Sequence, residues 1–177
     1  HFGREIVHPQ FKVIEPGAPL PDRLTPVYPT TAGLAQETLR VEGVAISSGD
    51  ILCIRFGWVQ AYRRMSLEER ASYAADSHPP YAGLAAGEEM ARYLWDLQVA
   101  ALVCDNPGAE VAPGSPEVGS LHRRLLPTLG LVIGELFDLD ALAEAARSDG
   151  RWTFLFTAVP THVVGGVGSP ANAIAIR

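Results

Sequence analysis

Apolar and polar positions along this chain fall into short blocks of two periods. From residue 41 onward, runs alternating or continuous in Val, Ile, Leu and Phe are followed by stretches of about ten residues with apolar positions three and four apart. The first kind predicts strands and the second amphipathic helices. Val41–Val44 and the turn SSGD lead into a strand at Ile51–Phe56. Ser66 and Glu69 form an S-x-x-E capping box that opens the helix SLEERASYAA. After the loop SHPPYAGLAAG, Glu88–Leu97 is helical, with Met90, Leu94 and Leu97 on one stripe. Val99–Cys104 reads as a buried strand ending in the turn Asp105-Asn106-Pro107-Gly108. A helix over Pro116–Leu126, closed by Pro127 and Gly130, leads to strand-like Leu131–Phe137. Asp138 or Asp140 then caps the helix DLDALAEAARSDG, which Gly150 stops. Trp152–Val159 and Ala171–Ile176 are strands joined through GGVGSP. This alternation predicts an α/β fold, a mixed sheet with flanking helices.

Residues 1–40 follow a different pattern. Two strand-like pieces in Gly3–Ile14 are separated by Pro9, which suits only an edge or bend. The run EPGAPLPDRLTPVYPTT cannot be helical. Thr31 caps a helix, TAGLAQETLR, that this reading cuts at Arg40. Six of the fourteen prolines lie here, and the segment carries no net charge, so the whole net −6 sits after the boundary. The shift predicts two units, 1–40 and 41–177. The later unit, an α/β domain of 137 residues, is long enough for a core of its own.

An acidic balance argues against a nucleic-acid partner, which needs clustered Lys and Arg. The longest apolar runs fall far short of the ~20 residues of a membrane span. No leader pattern opens the chain, and His1 in place of Met leaves room for residues upstream. Cys53 and Cys104 each lie in an apolar run and are expected to be buried thiols, as in a cytoplasmic protein.

Candidate chemistry centres on His122, on a helix, and Glu135, in the strand thirteen residues later. Imidazole and carboxylate are suitable ligands for Zn²⁺ or Mn²⁺, although a catalytic site normally supplies three protein ligands. Beside Arg123 and Arg124, His122 reads first as an ordinary surface histidine, and metal ligation is the second reading. GGVGSP lacks the lysine and helix of a phosphate loop and reads as a tight turn. His162 is expected in solvent, and Ser169 has no paired His and Asp to make it a nucleophile. Asp105-Asn106 could orient a substrate or stabilise its own turn. Trp58 and Trp95 are expected in the core or a dimer contact. No residue is assigned a catalytic role.

Two resemblances sharpen this picture. VHPQFKVI followed by LTPVYPTTAGLAQETLR resembles the wedge-to-motor junction of RecG-type DNA helicases, which implies a strand of an oligonucleotide-binding barrel and a connector. The rest of such a barrel is absent, as is any GxxxxGK[ST] loop, so this segment reads as a fragment. GDILCIRFGW, GEEMARYLWDLQVAALVCDNPGAE, LHRRLLPTLGLVIGELFDLDALA and GGVGSPANAIAI resemble successive blocks of the metal-dependent cyclase family, which includes the kynurenine formamidases of tryptophan catabolism. That resemblance implies a swivelling β/β/α fold, a divalent metal (Zn or Mn), and hydrolysis of a small-molecule amide. His122 and Glu135 fall on the family's later ligand positions. Its early H-x-G-T-H-x-D-x-P-x-H motif is absent, so three ligands and the expected general base are missing and an impaired site is expected. Phe56 stands where the family often has a small polar residue. With part of the domain absent, exposed apolar surface and a homo-oligomer are expected. The alternatives are a nucleic-acid-binding remnant or a non-functional fusion.

Overall fold

A computed structural model describes residues 5–9 and 29–177. The proline-rich run before Pro29 and the second of the two early strand pieces lie outside these residues. Six strands form one mixed sheet in the order β6-β5-β3-β1-β7-β8. They are β1 (Glu5–Pro9), β3 (Ile51–Arg55), β5 (Ala101–Cys104), β6 (Val132–Gly134), β7 (Thr153–Thr157) and β8 (Ile174–Ile176). β1, β3, β5 and β6 run parallel, while β7 pairs antiparallel with β1 and β8 with β7. A second, two-stranded ladder joins β2 (Pro29–Thr30) to β4 (Gly83–Leu84). The mixed α/β architecture read from the alternation is therefore present.

The core explains why β3 and β5 are nearly continuous apolar runs. Successive side chains point to opposite faces of a strand, and both faces of these strands are covered. Leu52, Ile54, Leu102 and Cys104 pack on one side with Met90, Ala91 and Leu94 of α4 (Glu88–Asp96), and with Leu121 and Leu125. Cys53 and Val103 pack on the other with Leu139 and with Ala143 of α6 (Asp140–Asp149), bordered by Phe137, Phe154 and Phe156. Each fully buried leucine contributes about 1.5–3 kcal/mol of transfer free energy. Both cysteines are buried and no disulfide joins them. Burial pushes the Cys104 thiol well above its ordinary range.

Several boundaries differ from the sequence reading for local reasons. β1, from the first forty residues, is an interior strand between β3 and β7, with Pro9 at its last position. Thr31 caps α1 (Ala32–Glu42), accepting from the Leu34 amide at 3.2 Å, and the helix continues past Arg40. Val41–Val44 is consequently not a strand: Gly43, at φ 65°, is the helix C-cap. α2 (Trp58–Arg64) was not anticipated. The Ser66–Glu69 capping box opens α3 (Leu67–Ala75) as expected.

The helix expected from Pro116 begins only at α5 (Leu121–Arg123) and widens into a π-helical turn over Arg124–Leu129. Pro127 sits inside this turn instead of ending the helix. It has no N–H to give the Arg123 carbonyl four residues back. The Thr128 hydroxyl donates to that carbonyl instead, at 3.1 Å. The cap position of α6 falls on Leu139, between the two aspartates expected there, so no side chain caps it; Asp138 accepts from the Asp140 amide, and Asp140, inside the first turn, is bound by Arg55 at 2.7–2.8 Å.

Candidate functional site

The parallel strands β3, β5 and β6 end at the same edge of the sheet, where ligand sites of α/β sheets characteristically form. Asp105 follows β5 directly and is buried, with both carboxylate oxygens turned across the sheet. It accepts from the amides of Phe56 at 2.6 Å and Gly57 at 2.8 Å. Neither orienting a substrate nor bracing its own turn, the two roles read from sequence, is what these bonds do: through them Asp105 pins the exit of the neighbouring strand. Burial raises its pKa to about 6 even though both amides favour the carboxylate. Asn106 is fully buried; its side-chain NH₂ donates to the Ala82 carbonyl, and its main-chain carbonyl accepts from the Leu136 amide at 2.9 Å.

Glu135 follows β6 on a constrained turn. The next residue, Leu136, is in the left-handed region at φ 58°, a conformation rare for a leucine. The hydrogen bond from the Leu136 amide to the Asn106 main-chain carbonyl holds that turn, and the Ala109 amide donates to Glu135 Oε1 at 2.7 Å. His122 lies in the first turn of α5, and its Nε2 is 3.0 Å from Glu135 Oε1. The two residues singled out from sequence are thus in contact.

The sequence reading missed Glu110. Its Oε2 is 2.6 Å from His122 Nδ1 and accepts from the His122 amide at 3.0 Å. Its Oε1 accepts from the Ser120 hydroxyl at 2.7 Å and the Leu121 amide at 3.1 Å. This carboxylate therefore caps α5 from eleven residues away, which explains why the helix starts at Leu121. A cap is normally sought within the few residues before a helix, so nothing in the local pattern marked it.

The imidazole lies between two carboxylates. Hydrogen bonds first to Glu110 and then to Glu135 push the His122 pKa up to about 10, against the opposing effect of burial. Burial works against ionisation of Glu110 too, but the bonds from His122 and Ser120 outweigh it and hold its pKa below the usual carboxylate value. Tyr81 stands in the same field. Burial raises its pKa, and the charges of Glu135 and Glu110 raise it further.

His122 and Glu135 fit two positions around a divalent ion. Tetrahedral ligands about 2.0–2.1 Å from a metal are about 3.3 Å apart, so the Nε2–Oε1 separation of 3.0 Å is that of a direct hydrogen bond which the pair would have to open slightly to take an ion. A carboxylate on the other ring nitrogen is the usual outer partner of a metal-ligating histidine. The set is incomplete, however. Among the described residues, no group of three or more His, Cys, Asp or Glu could hold an ion.

The remaining candidates lie apart from this pair. His162 is exposed, as expected. GGVGSP turns at Gly165, φ 75°, where Gly166 donates to Val163. Trp58 stacks on Tyr62 at 4.8 Å and donates to the Tyr73 hydroxyl at 3.0 Å, whereas Trp95 is 58% exposed and not part of the core. A cavity of about 600 Å³ between Ala32, Ala86, Met90, Val111 and Pro113 is lined by none of His122, Glu110 and Glu135.

Comparison with known proteins places the chain in a family. Residues 20–111, more than half of the chain, match the family described as putative cyclase. The chain belongs to the cyclase family. A crystal structure of a novel cyclase superposes with a TM-score of 0.77 at 30% identity, over 99% of this chain and 54% of the other. A potential metal-dependent hydrolase with cyclase activity gives 0.55 at 17% identity, over 98% of this chain and 64% of that one. An isatin hydrolase bound to the product analogue thioisatinate gives 0.63 at 22%, over 85% and 53%. The last two likenesses concern the fold. The chain spans between 53% and 64% of the length of these structures. No curated protein matches. None of these likenesses is to a helicase, and the family match begins at residue 20, ahead of the boundary read at residue 40.

Proposed function

We propose that this chain carries part of the active site of a metal-dependent hydrolase acting on the amide bond of a small molecule, of the arylformamidase type. The observation that carries this reading is the 3.0 Å approach of His122 Nε2 to Glu135 Oε1 at the carboxyl end of the sheet. Two structural neighbours bear the names metal-dependent hydrolase and isatin hydrolase, which supports hydrolysis as the reaction class. A bound Zn²⁺ or Mn²⁺ supplies polarisation of a carbonyl and a water acidic enough to ionise near neutral pH.

This chain's own contribution is orientation. The Ala109 amide holds Glu135, and Glu110 holds the His122 ring. Taking an ion at Nε2 requires that nitrogen to release its proton, so uptake strengthens with rising pH. Two donors retain an ion weakly, and the residues described here are expected to give impaired turnover.

The test is equilibrium dialysis of the chain against Zn²⁺ and Mn²⁺ at pH 7 and 9, together with hydrolysis of N-formylkynurenine. Weak uptake that increases at pH 9 and disappears in His122→Ala is expected, with turnover far below the ~10 s⁻¹ median of enzymes. Uptake or turnover indifferent to His122→Ala would overturn the assignment.

A further inference from the structure

The two residues that meet at the sheet edge are placed by a single dipeptide. Ala109, fully buried, fixes Glu135 through its main-chain amide at 2.7 Å. Glu110, next in the chain, grips His122. The dipeptide is itself tied to β4, because the Leu84 amide donates to the Ala109 carbonyl at 2.9 Å and the Val111 amide to the Leu84 carbonyl at 3.0 Å.

An imidazole turns about its Cβ–Cγ bond between two orientations that differ in which atoms face outward. In one, Nε2 meets Glu135. In the other, a ring carbon does, and a C–H group neither ligates an ion nor bonds a carboxylate strongly. The contacts of Glu110 separate these orientations. Its Oε2 is chelated by the main-chain amide and the ring Nδ1 of the same residue, at 3.0 and 2.6 Å. Its Oε1 is held twice, by the Ser120 hydroxyl and by the Leu121 amide, and the Leu121 bond remains when the Ser120 hydroxyl is removed.

We infer that Glu110 is the positioning residue of this site: it fixes the His122 ring through Nδ1 so that Nε2, and no other ring atom, is presented to Glu135. This goes beyond the hydrolase reading, because the ring is fixed whether or not an ion or substrate binds.

The experiment is ¹H–¹⁵N NMR of the imidazole in the intact chain, without metal or substrate, for the wild type and the variants Glu110→Gln, Ser120→Ala and Glu135→Gln. A short Nδ1–H bond to a carboxylate gives a slowly exchanging proton resonance far downfield. It is expected in the wild type, in Ser120→Ala and in Glu135→Gln, and to be lost in Glu110→Gln while far-UV circular dichroism shows the fold retained. Ser120→Ala removes part of the helix cap without touching the ring, so it separates capping from ring fixation. Survival of the resonance in Glu110→Gln, or its loss in Ser120→Ala, would overturn the inference. Should Glu110→Gln fail to fold, Glu135→Gln decides, because loss of the resonance there would assign it to the other nitrogen. An inactive chain that keeps the resonance would fail the hydrolase reading alone.

Discussion

Glu42, the last residue of α1, provides a test of burial energetics at some distance in sequence from the site. Both of its carboxylate oxygens are buried, and neither has a hydrogen-bond partner among the described residues. Burial raises its pKa from 4.5 to about 7, with Arg147 opposing the rise. A folded-state pKa above the unfolded value means that the folded chain binds the proton more tightly. The protonated side chain costs nothing below the unfolded pKa. A penalty then grows as pH climbs from 4.5 to about 7 and is complete above that. At about 1.36 kcal/mol per pH unit the ceiling is roughly 3 kcal/mol. The side chain is only half-buried and faces a cation, so screening reduces this to about 1–2 kcal/mol.

Glu42→Gln, which mimics the protonated acid, should leave stability unchanged at pH 4.5 and raise it by about 1–2 kcal/mol at pH 8. Urea unfolding followed by circular dichroism at both pH values measures the difference. For a chain of this length the same change raises Tm by about 2–8 °C. Parallel pH profiles for the two proteins would refute the reasoning.

Three further outcomes are expected. A Cβ added at Gly134 would lie 2.8 Å from Phe137 Cε2 and 3.3 Å from Val103 Cγ2. Gly134→Ala should therefore cost about 1–3 kcal/mol by overpacking and disturb the neighbouring Glu135 turn, read by thermal melting and by the amide shift of Leu136. Asp105→Asn leaves one of the Phe56 and Gly57 amides facing an NH₂ group, and should cost about 1–3 kcal/mol in the same melts. Leu155 and Ile176 stand opposite each other on β7 and β8, both more than half exposed beside exposed Ile174. The chain is expected to self-associate through this face, and Leu155→Lys with Ile176→Lys should shift sedimentation towards the monomer. Unchanged sedimentation would count against that face.

The chain's local pattern held the class of fold, most helix and strand positions and the two buried cysteines, through a period of two or 3.6, a capping box, or an apolar run. His122 and Glu135, thirteen residues apart, stood out as a pair through the resemblance to the cyclase family. The departures arise where a distant group takes over a local role. Glu110 starts α5 from across a loop, so Pro116–Ser120 stays outside the helix although its composition permits one. The first turn of α6 places Leu139 at the cap position, and Arg55, 85 residues before Asp140, takes that carboxylate. β1 comes from a stretch that reads as a separate unit, yet it fills the centre of the sheet because β3 and β7 both leave their ladder groups open to it. Only the tertiary structure could bring Ala109 and Glu110 to the same edge as His122 and Glu135. A hydrogen bond depends on distance in space, and the spacing of residues along the chain does not encode it.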